Sequence, residues 1–249
     1  MLFVLQKMKG MKKRMTLKVT TFSSKGRATR IYSYKTNKIH HLQSDNQLKV
    51  FLAFEWIDSI KDIKENIELK DLEATLYNVE NLRLDKFMAK ETGQLYQLHT
   101  NFLIKVLKEE KYEEIAVSVK SLSELERKTV IEKLEIERRY WKAKNIKFYL
   151  ITEKEIDNQV VENIRWCREA LIDNRIDNKV EIVERLYYSL QEKKQDVLQK
   201  VLNGFDAEED LENGTALFMF RYLIAIKEIY INMKEKIDLN NYIKDIVQF

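Results

Sequence analysis

The chain has 249 residues, of which 45% are hydrophobic and 34% charged, and its net charge is +4. This composition is typical of a globular protein with an adequate core. It excludes a disordered chain, and no apolar run approaches the roughly 20 residues that a membrane helix needs. A single cysteine, Cys167, excludes an intramolecular disulfide and favours a reducing cytoplasm. The opening MLFVL is too short for a signal sequence and precedes its positive charges, so we expect no secretion.

Positive charge is concentrated at the amino terminus. Residues 1–44 contain eleven Lys and Arg side chains and no acidic one, so the remaining 205 residues carry a net charge of −7. A basic arm on an acidic body suggests sequence-independent binding to a phosphate backbone, although a solvated tail would have the same composition. We assign the arm to residues 1–29. The predicted DNA-binding side chains are Lys12, Lys13, Arg14, Lys25, Arg27 and Arg30.

A hairpin and a helix are the first predicted elements. Residues 29–34 alternate in polarity, KTN supplies a turn, and residues 38–42 resume an extended run. Ser44 is predicted to cap a helix with a wide apolar face. His40 and His41 would point to opposite faces of a strand and cannot chelate one ion together. Since no Cys or His stands at zinc spacing, a metal would be a hard cation held by carboxylates.

Further strands are predicted over residues 60–66 and 95–106, and a crossover unit follows. Residues 115–156 have the length and order of a strand, a helix and a parallel strand, with the right-handed connection that such units adopt.

The helix of this unit carries one carboxylate on its inward stripe. Glu137 shares helical spacing with Val130, Leu134 and Trp141, so it is predicted to lie among apolar groups. The nearest candidate partner is Lys120, at the exit of the first strand. The alternative is a half-exposed glutamate and an ordinary surface lysine.

Beyond about Asn174 the pattern becomes almost wholly helical. Residues 179–202 predict amphipathic helices, residues 206–213 a polar acidic linker, and residues 215–231 a buried segment. We assign residues 174–249 to a small helical, winged-helix-like domain. Because no dense basic recognition helix is present, protein binding is favoured over DNA binding.

Several stretches carry a family resemblance: RIYSYKTNKIHHLQSD, FLAFEWIDSIKDIKEN, HTNFLIK and EKLEIERRYWKAKNIKFYLITEKEI with VVENIRW. From about Arg30 to Trp166 the chain resembles the TnsA endonuclease subunit family of heteromeric bacterial transposons. The resemblance implies a restriction-endonuclease-like α/β core, a central mixed sheet flanked by helices, over residues 30–173. It also implies a bacterial, cytoplasmic protein of a mobile element that cuts transposon 5′ ends. The implied partners are transposon-end DNA, a DDE transposase subunit and, through the carboxy-terminal domain, an AAA+ ATPase regulator, with no membrane.

The resemblance also implies site positions, at which the chain departs from the family pattern. A metal-binding Glu of the family falls on Gln47, an Asp on Asn101 and a metal-adjacent Gln on Ser118, and of this motif Lys120 alone is retained. Glu137 is a candidate supporting group behind Lys120. Amides at Gln47 and Asn101 lack the negative charge that holds Mg²⁺. We therefore expect weakened or lost nuclease activity, with Mg²⁺ as cofactor if the protein is active and none otherwise.

Two functional hypotheses follow. One is a subunit without nuclease activity that keeps the fold, the basic arm and the partner-binding domain, and works beside an active paralogue. The other is an active Mg²⁺-dependent DNA endonuclease with an unusual ligand set.

Overall fold

The structure, a computed structural model, describes residues 28–76, 79–172 and 178–249. The amino-terminal part alternates strands and helices. In chain order its elements are β1 (Thr29–Ser33), β2 (Lys38–Leu42), α1 (Asp45–Trp56), β3 (Ile60–Glu68), α2 (Leu72–Thr75), a 3₁₀ turn (Leu84–Phe87), β4 (His99–Lys108), β5 (Lys111–Val119), α3 (Leu122–Leu125), α4 (Lys128–Ala143) and β6 (Lys147–Ile151).

After β6 the chain is mainly helical. The elements of this part are α5 (Asn158–Ile172), α6 (Lys179–Glu192), α7 (Leu198–Glu208), α8 (Thr215–Ala225), β7 (Tyr230–Ile231), α9 (Ile243–Ile246) and β8 (Val247–Gln248). Within the part of the chain that the structure describes, no helix is both long enough and apolar enough to cross a membrane.

The central sheet is mixed, with the strand order β3, β4, β5, β6. Strand β4 pairs antiparallel with both neighbours, so Phe102 lies opposite Glu65 on one side and Val117 on the other. Strands β5 and β6 are parallel, with Val117 opposite Tyr149, and α4 lies in the connection between them. The predicted strand, helix and parallel strand are thus confirmed, together with the predicted α/β class.

Helices α1 and α4 pack on opposite faces of this sheet. Phe51 and Phe54 of α1 share a core cluster with Phe102 and Val117. Ala116, next to Val117 on the strand, instead belongs to a cluster formed with α4. Successive residues of a strand point to opposite faces, so this alternation divides one strand between two cores.

The predicted hairpin and helix cap are both confirmed. Strands β1 and β2 pair antiparallel from Thr29 with Leu42 to Ser33 with Lys38. Ser44 follows the hairpin and caps α1, because its hydroxyl oxygen accepts a hydrogen bond from the N–H of Gln47 at 3.2 Å.

The carboxy-terminal part packs α6, α7 and α8 around one apolar cluster, with β7 and β8 as an antiparallel ribbon beside it. Three helices and a two-stranded ribbon agree with the winged-helix-like prediction. The prediction of a linker over residues 206–213 is wrong for its first residues, since α7 extends to Glu208 and Asp206 is buried within it. Its carboxylate accepts hydrogen bonds from the N–H groups of Gly214 and Ala216, both at 2.7 Å, and so caps α8.

Helix α5 contacts both parts of the chain. Val161 and Ile164 cluster with Leu52 of α1, whereas Cys167 belongs to the cluster of α6 to α8. Residues 173–177, where we expect the domain boundary, lie outside the described residues.

Candidate functional site

Asn101 and Lys120 lie where β4 and β5 separate. The backbone pairing between these strands ends at Phe102 and Val117. Beyond that point, Oδ1 of Asn101 accepts a hydrogen bond from the N–H of Val119 at 2.7 Å, so a side chain takes the place of a backbone carbonyl. Lys120 follows directly, and its N–H donates to the carbonyl of Ile151 at 3.0 Å. The structure therefore brings these two predicted site residues together at the end of β5.

Glu137 reaches the same strand ends from α4 and is fully buried. Its Oε2 accepts hydrogen bonds from the hydroxyls of Ser118 and Thr100, the latter at 2.8 Å. Thr100 in turn accepts a hydrogen bond from the indole N–H of Trp141 at 2.8 Å. A buried carboxylate requires such donors, so this network ties α4 to both strands.

The structure gives Glu137 a different cation from the predicted one. Its Oε1 lies 3.7 Å from Nζ of Lys133, which precedes it by four residues on the same helix. Lys120 instead has its Nζ 3.9 Å from Oε1 of Glu124. Residues four apart on a helix are neighbours on its surface, so Lys133 reaches Glu137 without leaving α4. That spacing was visible in the sequence and could have identified Lys133.

Lys133 and Lys120 lie close enough to interact electrostatically. Burial lowers the pKa of Lys133, the Glu137 carboxylate raises it, and the Lys120 ammonium lowers it again. Burial also lowers the pKa of His99, and the next contribution comes from the Lys133 ammonium. Two lysines, Lys120 and Lys133, and the imidazole of His99 thus lie near the strand ends. Burial disfavours the protonated forms of Lys133 and His99.

Gln47 lies in the first turn of α1 and is 8% exposed. Its Oε1 accepts a hydrogen bond from the N–H of Gln43 at 2.9 Å, as part of the cap that begins α1. Among the described residues, its side chain makes no hydrogen bond to Asn101 or Lys120. The side chain at the predicted metal-site position on α1 is therefore hydrogen-bonded to the backbone just before its own helix.

The donor set at these positions does not fit a divalent cation. The amide oxygens of Asn101 and Gln47 face backbone N–H groups, and the hydroxyl of Ser118 is donated to Glu137. Mg²⁺ prefers oxygen ligands that carry negative charge and are free to turn towards it. Across residues 28–76, 79–172 and 178–249, no three His, Cys, Asp or Glu side chains form a group that could hold a metal ion.

The predicted DNA-binding residues fall mostly outside the described residues: Lys12, Lys13, Arg14, Lys25 and Arg27. Arg30 is described, and it lies exposed on β1 opposite His41 of β2.

A buried ion pair at the other end of α1 was not predicted from the sequence. Glu55 is 2% exposed, and its carboxylate lies 2.5 Å from Nε of Arg168 on α5. Glu55 also accepts a hydrogen bond from the N–H of Tyr34 at 3.1 Å, and Arg168 donates to the carbonyl of Tyr32. The signal was a glutamate inside the apolar run FLAFEWI, which requires a cationic partner when buried.

Two lysines bind the carboxyl end of α1. Nζ of Lys35 donates to the carbonyls of Phe54, at 3.2 Å, and of Ile57. Lys227, from the carboxy-terminal part, donates to the carbonyl of Trp56 at 2.9 Å. Cations at this end complement the helix dipole and satisfy carbonyls that lack intrahelical partners. Burial lowers the pKa of Lys35 to about 8.

Comparisons with known proteins agree on one family across both parts of the chain. Residues 57–153 match the family model described as TnsA-like endonuclease N terminal, and residues 155–233 match that described as TnsA endonuclease C terminal. The chain is also 34% identical over 224 residues to the transposon Tn7 transposition protein TnsA of Escherichia coli, an alignment that covers 90% of this chain and 81% of that relative. Asn101, Ser118 and Lys120 lie inside the first matched range, and Gln47 precedes it.

Proposed function

Because this chain belongs to the TnsA endonuclease family of transposition proteins, we propose that it is a TnsA-like subunit of a heteromeric DNA transposase with weakened or lost nuclease activity. In this proposal it binds transposon-end DNA in the bacterial cytoplasm and assembles with a DDE transposase subunit during cut-and-paste transposition. An active paralogue would supply the cleavage of the 5′ ends.

One observation carries the proposal: the amide of Asn101 is committed to the backbone of β5. Its Oδ1 is 2.7 Å from the N–H of Val119, beside the retained Lys120. A neutral amide oxygen already bound to an N–H group gives a hard cation no charge compensation. A lysine without a metal-bound water beside it has no nucleophile to orient for attack on a phosphodiester.

The carboxy-terminal domain supports a protein partner, which we propose to be an AAA+ ATPase regulator. Arg221 is the one basic residue in α8, the third helix of the winged-helix-like part. Its guanidinium donates to the carbonyl of Trp166 at 2.8 Å and pairs with Glu169 at 2.6 Å. Since that cation is engaged inside the protein, α8 offers no basic side chain for reading DNA.

The test is a cleavage assay with the transposase partner, transposon-end DNA and Mg²⁺ or Mn²⁺. We expect no 5′-strand nick that depends on Lys120. Lys120→Ala is compared with Lys111→Ala, which removes an exposed lysine from the opposite end of the same strand. A nick that persists in Lys111→Ala but disappears in Lys120→Ala would overturn the proposal.

A second experiment restores the acids. The double change Gln47→Glu and Asn101→Asp should create Mn²⁺ binding, measured by calorimetry, and a nick that requires Lys120. Either single change should bind Mn²⁺ more weakly, because one carboxylate compensates less of the cation's charge. If the double variant binds no metal, the two carboxylates do not lie close enough to share one ion. Loss of the acids would then not account for a lack of nuclease activity.

The alternative function, an active endonuclease with an unusual ligand set, is favoured by one observation. Glu124 is a partly exposed carboxylate whose Oε1 lies 3.9 Å from Nζ of Lys120. Its Oε2, however, accepts a hydrogen bond from the N–H of Ser121 at 2.9 Å in the capping box of α3. A metal-dependent nick abolished by Glu124→Gln would support this alternative.

A further inference from the structure

The amide groups at the candidate site present hydrogen-bond donors outward. The partner of Asn101 is the N–H of Val119, which can only donate, so the oxygen of the amide must face the strand. The NH₂ group of Asn101 then faces away from it. The same reasoning applies to Gln47, whose oxygen accepts from the N–H of Gln43. In both cases the chemistry of the partner assigns the orientation of the amide.

These two NH₂ groups remain available to a ligand. Within the described part of the chain, neither Nδ2 of Asn101 nor Nε2 of Gln47 donates to a protein acceptor, and neither is a buried atom left without a partner. Each therefore reaches solvent. A carboxylate has the same shape but would present an acceptor oxygen at this position. Replacing the acid by an amide therefore offers a ligand a hydrogen-bond donor in place of an acceptor.

Two ammonium groups accompany these donors. Nζ of Lys120 is 3.9 Å from Glu124, and Nζ of Lys133 is 3.7 Å from Glu137. Each ammonium is paired with its carboxylate by charge, and because an ammonium has three N–H donors, it keeps donors for a further acceptor. The carboxylates are also held by hydroxyl and backbone donors of the protein, through Oε2 in each case.

We propose that the strand ends of β4 and β5 bind a backbone phosphate of DNA directly, without a divalent cation, through the ammonium of Lys120 and the NH₂ of Asn101. Lysine binds phosphate as a point charge, and an amide NH₂ donates to a phosphate oxygen. This inference rests on the proposed function, since it names the ligand that a site without metal-binding acids would take.

The experiment follows the side-chain amide signals of Asn101 by NMR in the full-length chain, in EDTA, and Asn101→Asp identifies those signals by their loss. Inorganic phosphate is titrated at constant ionic strength with chloride as the balancing anion. We expect a saturable shift whose affinity falls about tenfold in Lys120→Ala, the effect of removing one charge-assisted hydrogen bond. Lys111→Ala should leave the affinity unchanged.

Three further results decide the inference. A DNA duplex without terminal phosphates should shift the same signals if backbone phosphates occupy the site, whereas a shift with inorganic phosphate alone would overturn the assignment to DNA. Signals that do not respond to tens of millimolar phosphate, on the order of a weak site's dissociation constant, would overturn the inference entirely. Because EDTA is present and no cleavage is measured, this outcome is independent of the nicking assay, which tests the proposed function alone.

Discussion

Nε of Arg168 lies 2.5 Å from Oε2 of Glu55, although 113 residues separate the two in the chain. The pair joins α5 to α1, and both partners also form hydrogen bonds with the hairpin, at Tyr34 and Tyr32. Glu55 is 2% exposed and Arg168 is 9% exposed, so each charge has left water and depends on the other.

Removing one partner should therefore destabilise the protein strongly. We expect Arg168→Met to lower the free energy of unfolding by roughly 3–5 kcal/mol, because the Glu55 charge remains buried without compensation. Urea denaturation measures the effect. Arg83→Met, which breaks the exposed pair with Asp85, is the matched control and should leave the urea midpoint unchanged.

The double variant Glu55→Leu with Arg168→Met separates charge from packing. It should recover most of the lost stability, because neither side then buries an unpaired charge. A double variant as unstable as Arg168→Met would show that packing of the guanidinium, and not its charge, sets the cost.

The cap of α8 gives a second stability prediction. Asp206→Ala leaves the N–H groups of Gly214 and Ala216 without their acceptor, and we expect a loss of about 1–3 kcal/mol in the free energy of unfolding. Glu212→Ala removes an exposed acid nearby and should change stability little. Equal effects from the two changes would contradict the capping role.

The hairpin is joined to the sheet by a pH-sensitive contact. Nδ1 of buried His40 lies 2.6 Å from Oε2 of Glu65 on β3, and Nε2 contacts the hydroxyl of Thr36 at 2.7 Å. Burial alone raises the pKa of Glu65, but the hydrogen bond from His40 and the other favourable interactions together outweigh it and lower the pKa below its ordinary 4.5.

A carboxyl whose pKa is lower in the folded state stabilises the protein above its unfolded pKa and loses that contribution as the pH falls. We expect the free energy of unfolding to decrease below about pH 4.5, and Glu65→Gln to flatten this part of the profile. Urea denaturation from about pH 3 to 6 provides the measurement, with exposed Glu73→Gln as control. The interpretation fails if both variants retain the same slope.

The basic arm gives a prediction about salt. Residues 1–28 contain eight Lys and Arg side chains. If several of them bind phosphates, deleting these residues should reduce the slope of log affinity against log salt by roughly 0.9 for each phosphate that is no longer neutralised. DNA affinity is measured across a salt series, and a variant with Arg at all eight positions should keep the slope. An unchanged slope after deletion would remove the arm from the interface.

Local patterns in the sequence were sufficient for the elements near the site. The strands around Lys120 follow from apolar runs of β-branched residues, and the inward position of Glu137 follows from helical spacing. The prediction for Asp206 failed because its acidic surroundings resemble a linker. Its role depends on backbone N–H groups eight and ten residues further along the chain.

The sequence by itself determined which chemical groups stand at the candidate site. Positions 47 and 101 carry amides, and a lysine follows the strand that ends at Val119. Only the tertiary structure decided what those groups do, because a side chain's role depends on the partners that folding brings to it. The N–H of Val119 orients the amide of Asn101, Lys133 takes the place of Lys120 beside Glu137, and Arg168 reaches Glu55 from another helix. The contacts of Asn101 and Arg168 join residues that are distant in sequence, and no local periodicity encodes them.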